Sequence, residues 1–230
     1  TVTDPKGHKN IETTSGAELT IETKDEGDGS DAIITSLEYD DQGNVTKESY
    51  SNGNYKTYEY SSRNLLKTIR YYEESQCTLK TDFVYDELER LTRMSDYEVN
   101  GEEQIPYRHT LYGYDSWGRK NWEAEVDTTV DAFAITDTQL EEAKIKYNYD
   151  GADRISKITY AKSSSSVQGI RIGYDEEGRI NHIYAVVKNG SSTTENILRS
   201  YVYDAKGCVT KMTDYADFAD SSQNAVVRSY

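Results

Sequence analysis

The sequence predicts an all-β fold: an antiparallel β-hairpin repeat array that forms one curled or twisted sheet, barrel-like or open, with one short helical insertion. Three observations predict it. A motif that begins Tyr-Asp recurs along the chain, the residues beside it alternate as strand residues do, and 21 tyrosines accompany only 2 prolines. Tyrosine suits a half-exposed sheet face because it combines ring area with a polar tip.

The repeated motif is Tyr-Asp-x-x-Gly. The complete copies are Tyr39-Asp40 with Gly43, Tyr114-Asp115 with Gly118, Tyr174-Asp175 with Gly178, and Tyr203-Asp204 with Gly207. Looser copies begin at Tyr85-Asp86, at Tyr149-Asp150 and at Tyr60-Ser61. With two strands for each copy, the repeat predicts about fourteen strands, which suits one curled sheet.

Each copy predicts a hairpin in which the first strand ends at the tyrosine and the turn begins at the aspartate. The aspartate carboxylate accepts backbone amides of the turn, and the glycine supplies a left-handed backbone conformation. Asn64 and Asp153 replace the glycine in two copies, and both residue types tolerate positive φ. Glu89 replaces it in a third, where we expect a strained or a different turn.

The residues around the motif agree with this alignment. Two positions before the tyrosine, every copy has an apolar or aromatic residue, so that residue and the tyrosine share one face of the sheet: Leu37, Tyr58, Phe83, Tyr112, Tyr147, Ile172 and Tyr201. An arginine follows the glycine position in four copies, as Arg90, Arg119, Arg154 and Arg179. We interpret these arginines as partners of the motif aspartate or of a tyrosine ring, rather than as a ligand-binding row.

The repeats define the predicted domains. Residues 1–32 are predicted to be a polar N-terminal segment with a capping strand or hairpin, in which 19–21 pairs with 33–34, and residues 33–230 are predicted to be the repeat domain. An insertion at about 127–143 interrupts it, and a capping-box pattern from Thr138 to Glu141 predicts one short helix there. The chain begins at Thr1 without a signal sequence, so we expect any targeting segment to have been removed.

Composition excludes several classes of function. The formal net charge of -15 disfavours nucleic acid and anionic membrane surfaces as partners. No apolar run is long enough to cross a bilayer. The three histidines and two cysteines (His8, His109, His182, Cys77 and Cys208) lack metal-ligand spacing, and whether the cysteines pair stays open. The acidic loop 25–31 lacks the pattern of a calcium loop, so we expect no metal site there. We also expect no cofactor and no enzymatic activity.

Aromatic residues outside the tyrosine stripe are the candidate ligand-binding residues: Tyr71, Tyr72, Trp117 and Trp122. Such side chains stack on sugars or anchor a protein partner. The alternative is packing on the sheet face, which strands show regardless of binding.

The motif copies, best seen at Tyr174-Asp175-Glu176-Glu177-Gly178-Arg179-Ile180, resemble the YD repeats of the Rhs-type family. That family includes bacterial Rhs proteins, wall-associated proteins, insecticidal toxin-complex subunits and animal teneurins. The resemblance implies strands of a long sheet that spirals into a hollow shell, which encloses a toxin or serves as an adhesion scaffold. It assigns no catalytic residue to the repeats.

We therefore expect a non-catalytic structural or interaction module of a secreted or cell-surface bacterial protein. The alternatives are a carbohydrate-binding module and a fragment of a toxin-encapsulating shell. A protein or a polysaccharide is the expected partner. Residues 227–230 repeat the opening of the last copy, which predicts either further repeats or a capping strand.

Overall fold

The computed structural model describes residues 2–3, 9–16, 20–25, 33–127, 131–162, 165–215 and 225–230. They form eighteen strands, one 3-10 helix and one α-helix. Neighbouring strands are antiparallel, so the predicted β-hairpin array with one short helix is confirmed. No helix among the described residues has the length and apolarity that a membrane-spanning helix needs.

The chain divides into two compact units, and the first comprises residues 1–110 and 127–135. Its strands are β1 (Val2–Thr3), β2 (Lys9–Thr14), β3 (Thr20–Asp25), β4 (Ile33–Tyr39), β5 (Val45–Tyr50), β6 (Tyr55–Tyr60), β7 (Leu66–Glu73), β8 (Gln76–Tyr85), β9 (Leu91–Asn100) and β10 (Glu103–Tyr114), the last of which ends in the second unit. Each strand from β1 to β8 pairs with the next, and β9 pairs with β10.

The second unit comprises residues 111–126 and 136–230. It contains β11 (Lys120–Asp127), α1 (Asp137–Ala143), β12 (Lys144–Tyr149), β13 (Ile155–Thr159), β14 (Val167–Tyr174), β15 (Ile180–Asn189), β16 (Ser192–Tyr203), β17 (Val209–Tyr215) and β18 (Ala225–Ser229). From β11 onward, each strand pairs with the next. The predicted domain boundary near residue 32 stays a prediction.

Each motif copy forms one hairpin. The motif tyrosine is the last residue of its strand, and the next strand begins six residues later, so the seven copies account for β4 to β17. A register shift lies beside the motif tyrosine, as between Val202 and Tyr203. At that shift the hydroxyl of Thr210 donates to the carbonyl of Val202 at 3.2 Å. The shift leaves Thr210 as the extra residue of a β-bulge beside the motif turn.

The N-terminal hairpin has a different register from the one predicted. β3 does pair with β4, but Ile33 lies opposite Asp25 and Ile34 lies opposite Lys24, not opposite residues 19–21. Strand β3 extends as far as Asp25, into the acidic stretch that we expected to be loop. Residues 26–32 lie outside the described residues.

The inserted helix begins two residues earlier than predicted. Its N-cap is Thr136, whose hydroxyl accepts from the Gln139 amide, while the Gln139 side chain accepts from the Thr136 amide. The sequence contains two overlapping capping patterns, and the one that starts at Thr136 forms. A 3-10 helix, Ala132–Ala134, precedes it.

Buried residues differ between the two units. In the second unit Ala124, Ala185 and Val186 are buried apolar residues. In the first unit the buried positions include Ser95, Asp96 and His109. His109 Nδ1 lies 2.8 Å from Ser95 Oγ, which gives this buried ring a hydrogen-bond partner inside the sheet.

Candidate functional site

The motif aspartate organises the turn through its backbone and its side chain. Asp115 N donates to the Arg119 carbonyl at 2.9 Å, and Gly118 N donates to the Asp115 carbonyl at 3.0 Å. The carboxylate Oδ1 accepts from the amides of Trp117 and Arg119, both at 3.0 Å. The same backbone pair recurs at Asp40, Asp86, Asp150, Asp175 and Asp204. The predicted capture of turn amides by the aspartate is therefore present.

The arginine after the glycine position clamps the second oxygen of the same carboxylate. Arg154 Nε donates to Asp150 Oδ2 at 2.8 Å, and a terminal nitrogen lies 2.7 Å from the same atom. Arg90, Arg119 and Arg179 also contact the Oδ2 atoms of their own aspartates. The guanidinium is thereby fixed in one plane at the hairpin end.

That plane covers the motif tyrosine of the next copy. The guanidinium carbon lies 4.3 Å from the ring centre for Arg119 on Tyr149, 4.1 Å for Arg154 on Tyr174, and 4.5 Å for Arg179 on Tyr203. These are cation–π contacts between successive hairpins. The predicted interpretation of the arginines as partners of the aspartates and of tyrosine rings agrees with these contacts.

The tyrosine hydroxyl ties the two hairpins together a second time. Tyr174 donates to the Ile155 carbonyl at 2.8 Å, and Tyr203 donates to the Ile180 carbonyl at 2.7 Å. Tyr60 and Tyr149 make the same bond to the residue that begins the second strand of the preceding copy. We call this series the Tyr-Asp-Arg ladder, consisting of Asp115, Arg119, Tyr149, Asp150, Arg154, Tyr174, Asp175, Arg179 and Tyr203.

Copies that depart from the motif keep the turn by other means. Asn44 stands where others have arginine, and its side-chain nitrogen donates to Asp40 Oδ2 at 2.9 Å. Ser61 stands where others have aspartate, and its hydroxyl accepts from the Leu65 amide at 3.2 Å. Asn64 and Asp153 have φ of +63° and +60°, as expected for residues at the glycine position.

Glu89 adopts the same turn as the other copies, with a φ of +62°, so of the two expected outcomes strain is the one present. A left-handed conformation costs a residue with a Cβ about 1–2 kcal/mol. We predict that Glu89→Gly raises the free energy of unfolding by about 1 kcal/mol, measured by urea denaturation. Glu87→Gly in the same turn is the control, because Glu87 does not have a positive φ. Equal effects of the two substitutions would contradict the strain.

The ladder also shifts the titration of its carboxylates. The side-chain hydrogen bond from Arg154, followed by backbone hydrogen bonds, lowers the pKa of Asp150 below its ordinary 3.8. A lowered folded pKa means that Asp150 stabilises the fold fully above pH 3.8 and that this contribution is lost as pH falls through the lowered value. We predict that NMR titration finds a depressed Asp150 pKa, which Arg154→Ala raises. An Asp150 pKa that is the same in both proteins would contradict the contact.

A second set of tyrosines, two residues before the motif tyrosines, bonds to glutamates of the neighbouring strand. Tyr58 OH donates to Glu48 Oε2 at 2.6 Å, and Tyr147 OH donates to Glu123. Burial, and then the hydrogen bond to the glutamate, raise the pKa of both tyrosines. These hydroxyls therefore remain protonated donors.

The four candidate ligand-binding aromatics have unequal surroundings. Trp117 is 79% exposed in a motif turn, and the Arg119 guanidinium lies 4.9 Å from its ring. Trp122 covers Gly113 so closely that a Cβ there would lie 1.8 Å from its indole nitrogen, and Lys144 Nζ lies 4.5 Å from its ring. Trp122 therefore packs against Gly113 within the sheet, and its assignment as a ligand-binding residue stays a prediction.

Tyr71 and Tyr72 are adjacent in β7, and the pairing with β8 shifts register between them. Tyr72 stacks on Tyr55 with ring centres 4.4 Å apart. Both line a groove with Tyr50 and Asn54, which sequence analysis did not select. The signal that could have selected them is Tyr50-Ser51-Asn52-Gly53-Asn54, which contains a second turn pattern with Gly53 at a φ of +87°.

Other candidate chemistry is sparse in the described ranges. No group of three or more His, Cys, Asp or Glu side chains there could hold a metal ion. His8 and most of the acidic loop 25–31 lie outside those ranges. Cys77 and Cys208 are both free thiols. Burial raises the pKa of the Cys77 thiol, which disfavours its reactive thiolate form.

Comparisons with known proteins show that the chain is similar in fold to solved structures. No family model and no curated protein matches the chain. A crystal structure of TcdB2-TccC3-Cdc42 matches 99% of the chain at 14% identity with a TM-score of 0.51. A structure of the Photorhabdus luminescens Tc holotoxin pore also matches 99% at 14% identity, with a TM-score of 0.52. The chain shares the fold of these Tc toxin structures. It spans 13% of the length of each matched chain.

Proposed function

We propose that the chain is a non-catalytic structural module of a secreted or cell-surface bacterial protein that belongs to the Rhs-type YD-repeat family. The observation that carries this proposal is the Tyr-Asp-Arg ladder. The motif residues make copy-to-copy contacts: Arg154 bonds Asp150 of its own copy and covers Tyr174 of the next. The likeness in fold to the Tc toxin structures supports the family assignment.

The absence of catalysis is part of the proposal, and the site supports it because the reactive groups of the motif are already engaged. Both oxygens of Asp150 accept hydrogen bonds, and the hydroxyl of Tyr174 donates to a backbone carbonyl. A general acid or base needs a proton that it can exchange with a substrate. The Asp150 lone pairs are instead used within its own turn, and the Tyr174 proton is donated to the neighbouring strand.

A second candidate is that the module is one section of the wall of a toxin-enclosing shell. The Tc toxin structures favour it, since this chain matches 13% of a far longer chain in each. A wall needs strands that keep adding to one sheet, and a contact that ties each hairpin to its neighbour supplies that continuity.

The structural proposal is tested in the full-length parent protein with two triple variants of equal charge. Asp40, Asp86 and Asp175 are changed to alanine in one variant, and the adjacent acids Asp41, Glu87 and Glu176 in the other. The carboxylates of the first set bond turn amides, whereas the side chains of Asp41, Glu87 and Glu176 make no hydrogen bond or ion pair with the described residues. We expect only the variant that lacks Asp40, Asp86 and Asp175 to lose its resistance to protease.

The readout is detection of the protein on intact bacteria with an antibody, followed by protease treatment of the cells. The wild type and the control variant are expected at the cell surface or in the medium, in protease-resistant form. Detection of the wild type only after cell lysis would contradict the proposed location. Equal resistance of both triple variants would contradict the structural role of the motif aspartates.

A further inference from the structure

The second motif copy, which begins at Tyr60, departs from the repeat at three positions that other copies use for contacts. Ser61 replaces the aspartate, and Leu65 stands where four copies have arginine. Lys67 follows as the second residue of β7. These changes leave the hairpin end without a carboxylate and without a clamping guanidinium, and they add an ammonium group.

Ser61 holds its turn with a single oxygen. Its hydroxyl accepts from the backbone amides of Arg63 at 3.3 Å and Leu65 at 3.2 Å. In five other copies the aspartate has a second oxygen, which accepts from the arginine or, in the first copy, from Asn44. Serine has no such oxygen, so the hairpin end of the second copy carries no negative charge of its own.

Lys67 is the extra residue of the β-bulge beside this turn. Glu59 lies opposite Thr68 and Tyr60 lies opposite Leu66, so no residue of β6 lies opposite Lys67. In three other copies the same position has a hydroxyl that donates to a carbonyl of the preceding strand, at Thr92, Ser156 and Thr210. Lys67 makes no hydrogen bond or ion pair with the described residues, so its ammonium group is available.

The motif tyrosine of the next copy, Tyr85, differs from its equivalents in the ladder. Tyr149, Tyr174 and Tyr203 each lie under a guanidinium and donate to a strand carbonyl. For Tyr85 the preceding copy supplies the aliphatic Leu65 instead, and no described residue places a cation over the ring or accepts from the hydroxyl. Burial raises the pKa of Tyr85, so its hydroxyl stays a protonated donor.

A pocket of about 180 Å³ lies where these departures meet. Leu65, Phe83 and Tyr85 provide its apolar surface, and Arg63 and Lys67 are its charged lining residues. The pocket lies wholly within the first unit. A cavity of about 150 Å³ holds one benzene molecule, so this pocket has room for a single ring with a small substituent.

The pocket is cationic, although the chain has a net charge of -15. No acidic side chain is among its described lining residues. Arg63 pairs within the described ranges only with Glu89, at 3.9 Å, and both side chains are about half exposed. Such an exposed pair contributes little, so Arg63 retains most of its attraction for an anion.

Lys67 also borders a neighbouring groove, which does not compete for its charge. The acidic residues of that groove are Glu59 and Asp82. Glu59 pairs with Arg70, and Asp82 Oδ2 lies 2.7 Å from Lys80 Nζ. The charges of both acids are therefore already compensated.

We propose that this pocket binds a small aromatic carboxylate. The ring packs against Leu65, Phe83 and Tyr85, where other copies place the plane of a guanidinium. The carboxylate accepts from Arg63, Lys67 and the Tyr85 hydroxyl, and so supplies the anion that the second copy lacks. This ligand site goes beyond the structural role proposed above and does not depend on it.

The test is an NMR titration of the intact chain with benzoate and phenylacetate at millimolar concentrations. We expect both acids to shift the amide signals of residues 61–67 and 83–85 in a saturable way. Benzamide keeps the ring without the charge, and acetate keeps the charge without the ring, so each is expected to bind about tenfold more weakly. N-acetylphenylalanine distinguishes the source of the ligand, because tighter binding than that of phenylacetate indicates the C-terminal residue of a protein.

A double variant that restores the repeat tests the pocket itself. Ser61→Asp with Leu65→Arg rebuilds the pair that Asp150 and Arg154 form, leaves the net charge unchanged and places a guanidinium over Tyr85. We expect this variant to lose benzoate binding because its own side chains fill the pocket. Its thermal unfolding midpoint is expected to be at least that of the wild type.

Single substitutions at the exposed cations keep the test valid if the double variant unfolds. Lys67→Gln and Arg63→Gln are each expected to weaken benzoate binding about threefold. Lys206→Gln is the control, since Lys206 holds the turn position of Arg63 in the last copy, and it is expected to bind normally. Absence of saturable shifts with both aromatic acids would overturn the proposal. So would equal binding of benzoate and benzamide, equal binding of benzoate and acetate, or binding that the double variant leaves unchanged.

Discussion

Gly169→Ala is expected to destabilise the chain by about 3 kcal/mol, since overpacking against a fixed backbone costs at least the upper end of the usual range. A Cβ at this position of β14 would lie 2.1 Å from the Ile158 carbonyl oxygen and 3.0 Å from Thr159 Cα. Both atoms belong to the backbone of the adjacent strand β13, which cannot move aside as a flexible side chain can. Urea denaturation measures the loss.

Gly151→Ala is the matched control for that substitution. Gly151 lies in the motif turn beside β13, its φ is not positive, and a Cβ there would have no atom within 4 Å. We expect Gly151→Ala to be neutral or to stabilise by about 0.5 kcal/mol through the unfolded chain. Equal losses for the two alanines would show that the close approach of β13 and β14 does not determine the requirement for glycine.

Asp96→Ala is expected to cost about 3 kcal/mol, because it leaves the partners of a buried carboxylate without their acceptor. Asp96 is 6% exposed in β9. Its Oδ1 accepts from the Thr81 hydroxyl at 2.7 Å, and its Oδ2 accepts from Arg108 Nε at 2.9 Å. Thr81 and Asp96 lie directly opposite each other in β8 and β9. The free energy of unfolding measured in urea tests the loss.

Two comparisons separate this network from a general effect of charge. Glu98→Ala removes an exposed carboxylate from the same strand and is expected to change stability by less than about 0.5 kcal/mol. In the Thr81→Val background Asp96→Ala is expected to cost less, because one of the abandoned donors is gone. Full additivity of Thr81→Val and Asp96→Ala would contradict the bond between them.

The hairpins could be predicted from sequence because their determinants are local. Aspartate and glycine three residues apart specify the turn, as Asp115 and Gly118 do, and the apolar residue before each tyrosine sets the face. The copy with Glu89 keeps the turn because Asp86 and the register of β8 and β9 hold it. Strain at Glu89 could be predicted from the sequence. Which turn forms there depends on how β8 pairs with β9.

Features that depend on strand register could not be predicted from the sequence. Tyr50, Tyr71 and Leu79 come together only because β5 to β8 pair with particular offsets, and a one-residue shift would turn each side chain to the other face. The register of β3 on β4 and the choice of Thr136 as N-cap were mispredicted for related reasons. At the helix the sequence contains two overlapping capping patterns, and β3 is a mostly polar strand, whose apolar pattern specifies the register weakly.

The central claim is that each hairpin is tied to the next through the Tyr-Asp-Arg ladder, and a double-mutant cycle between Arg154 and Tyr174 tests it most directly. Arg154→Ala, Tyr174→Leu and the double variant are compared with wild type in urea. The ladder predicts a coupling energy of about 0.5–1 kcal/mol for this pair. The cycle between Arg154 and Tyr203, which lies under Arg179, should show almost none. A coupling for Arg154 and Tyr174 no larger than for Arg154 and Tyr203 would contradict the claim.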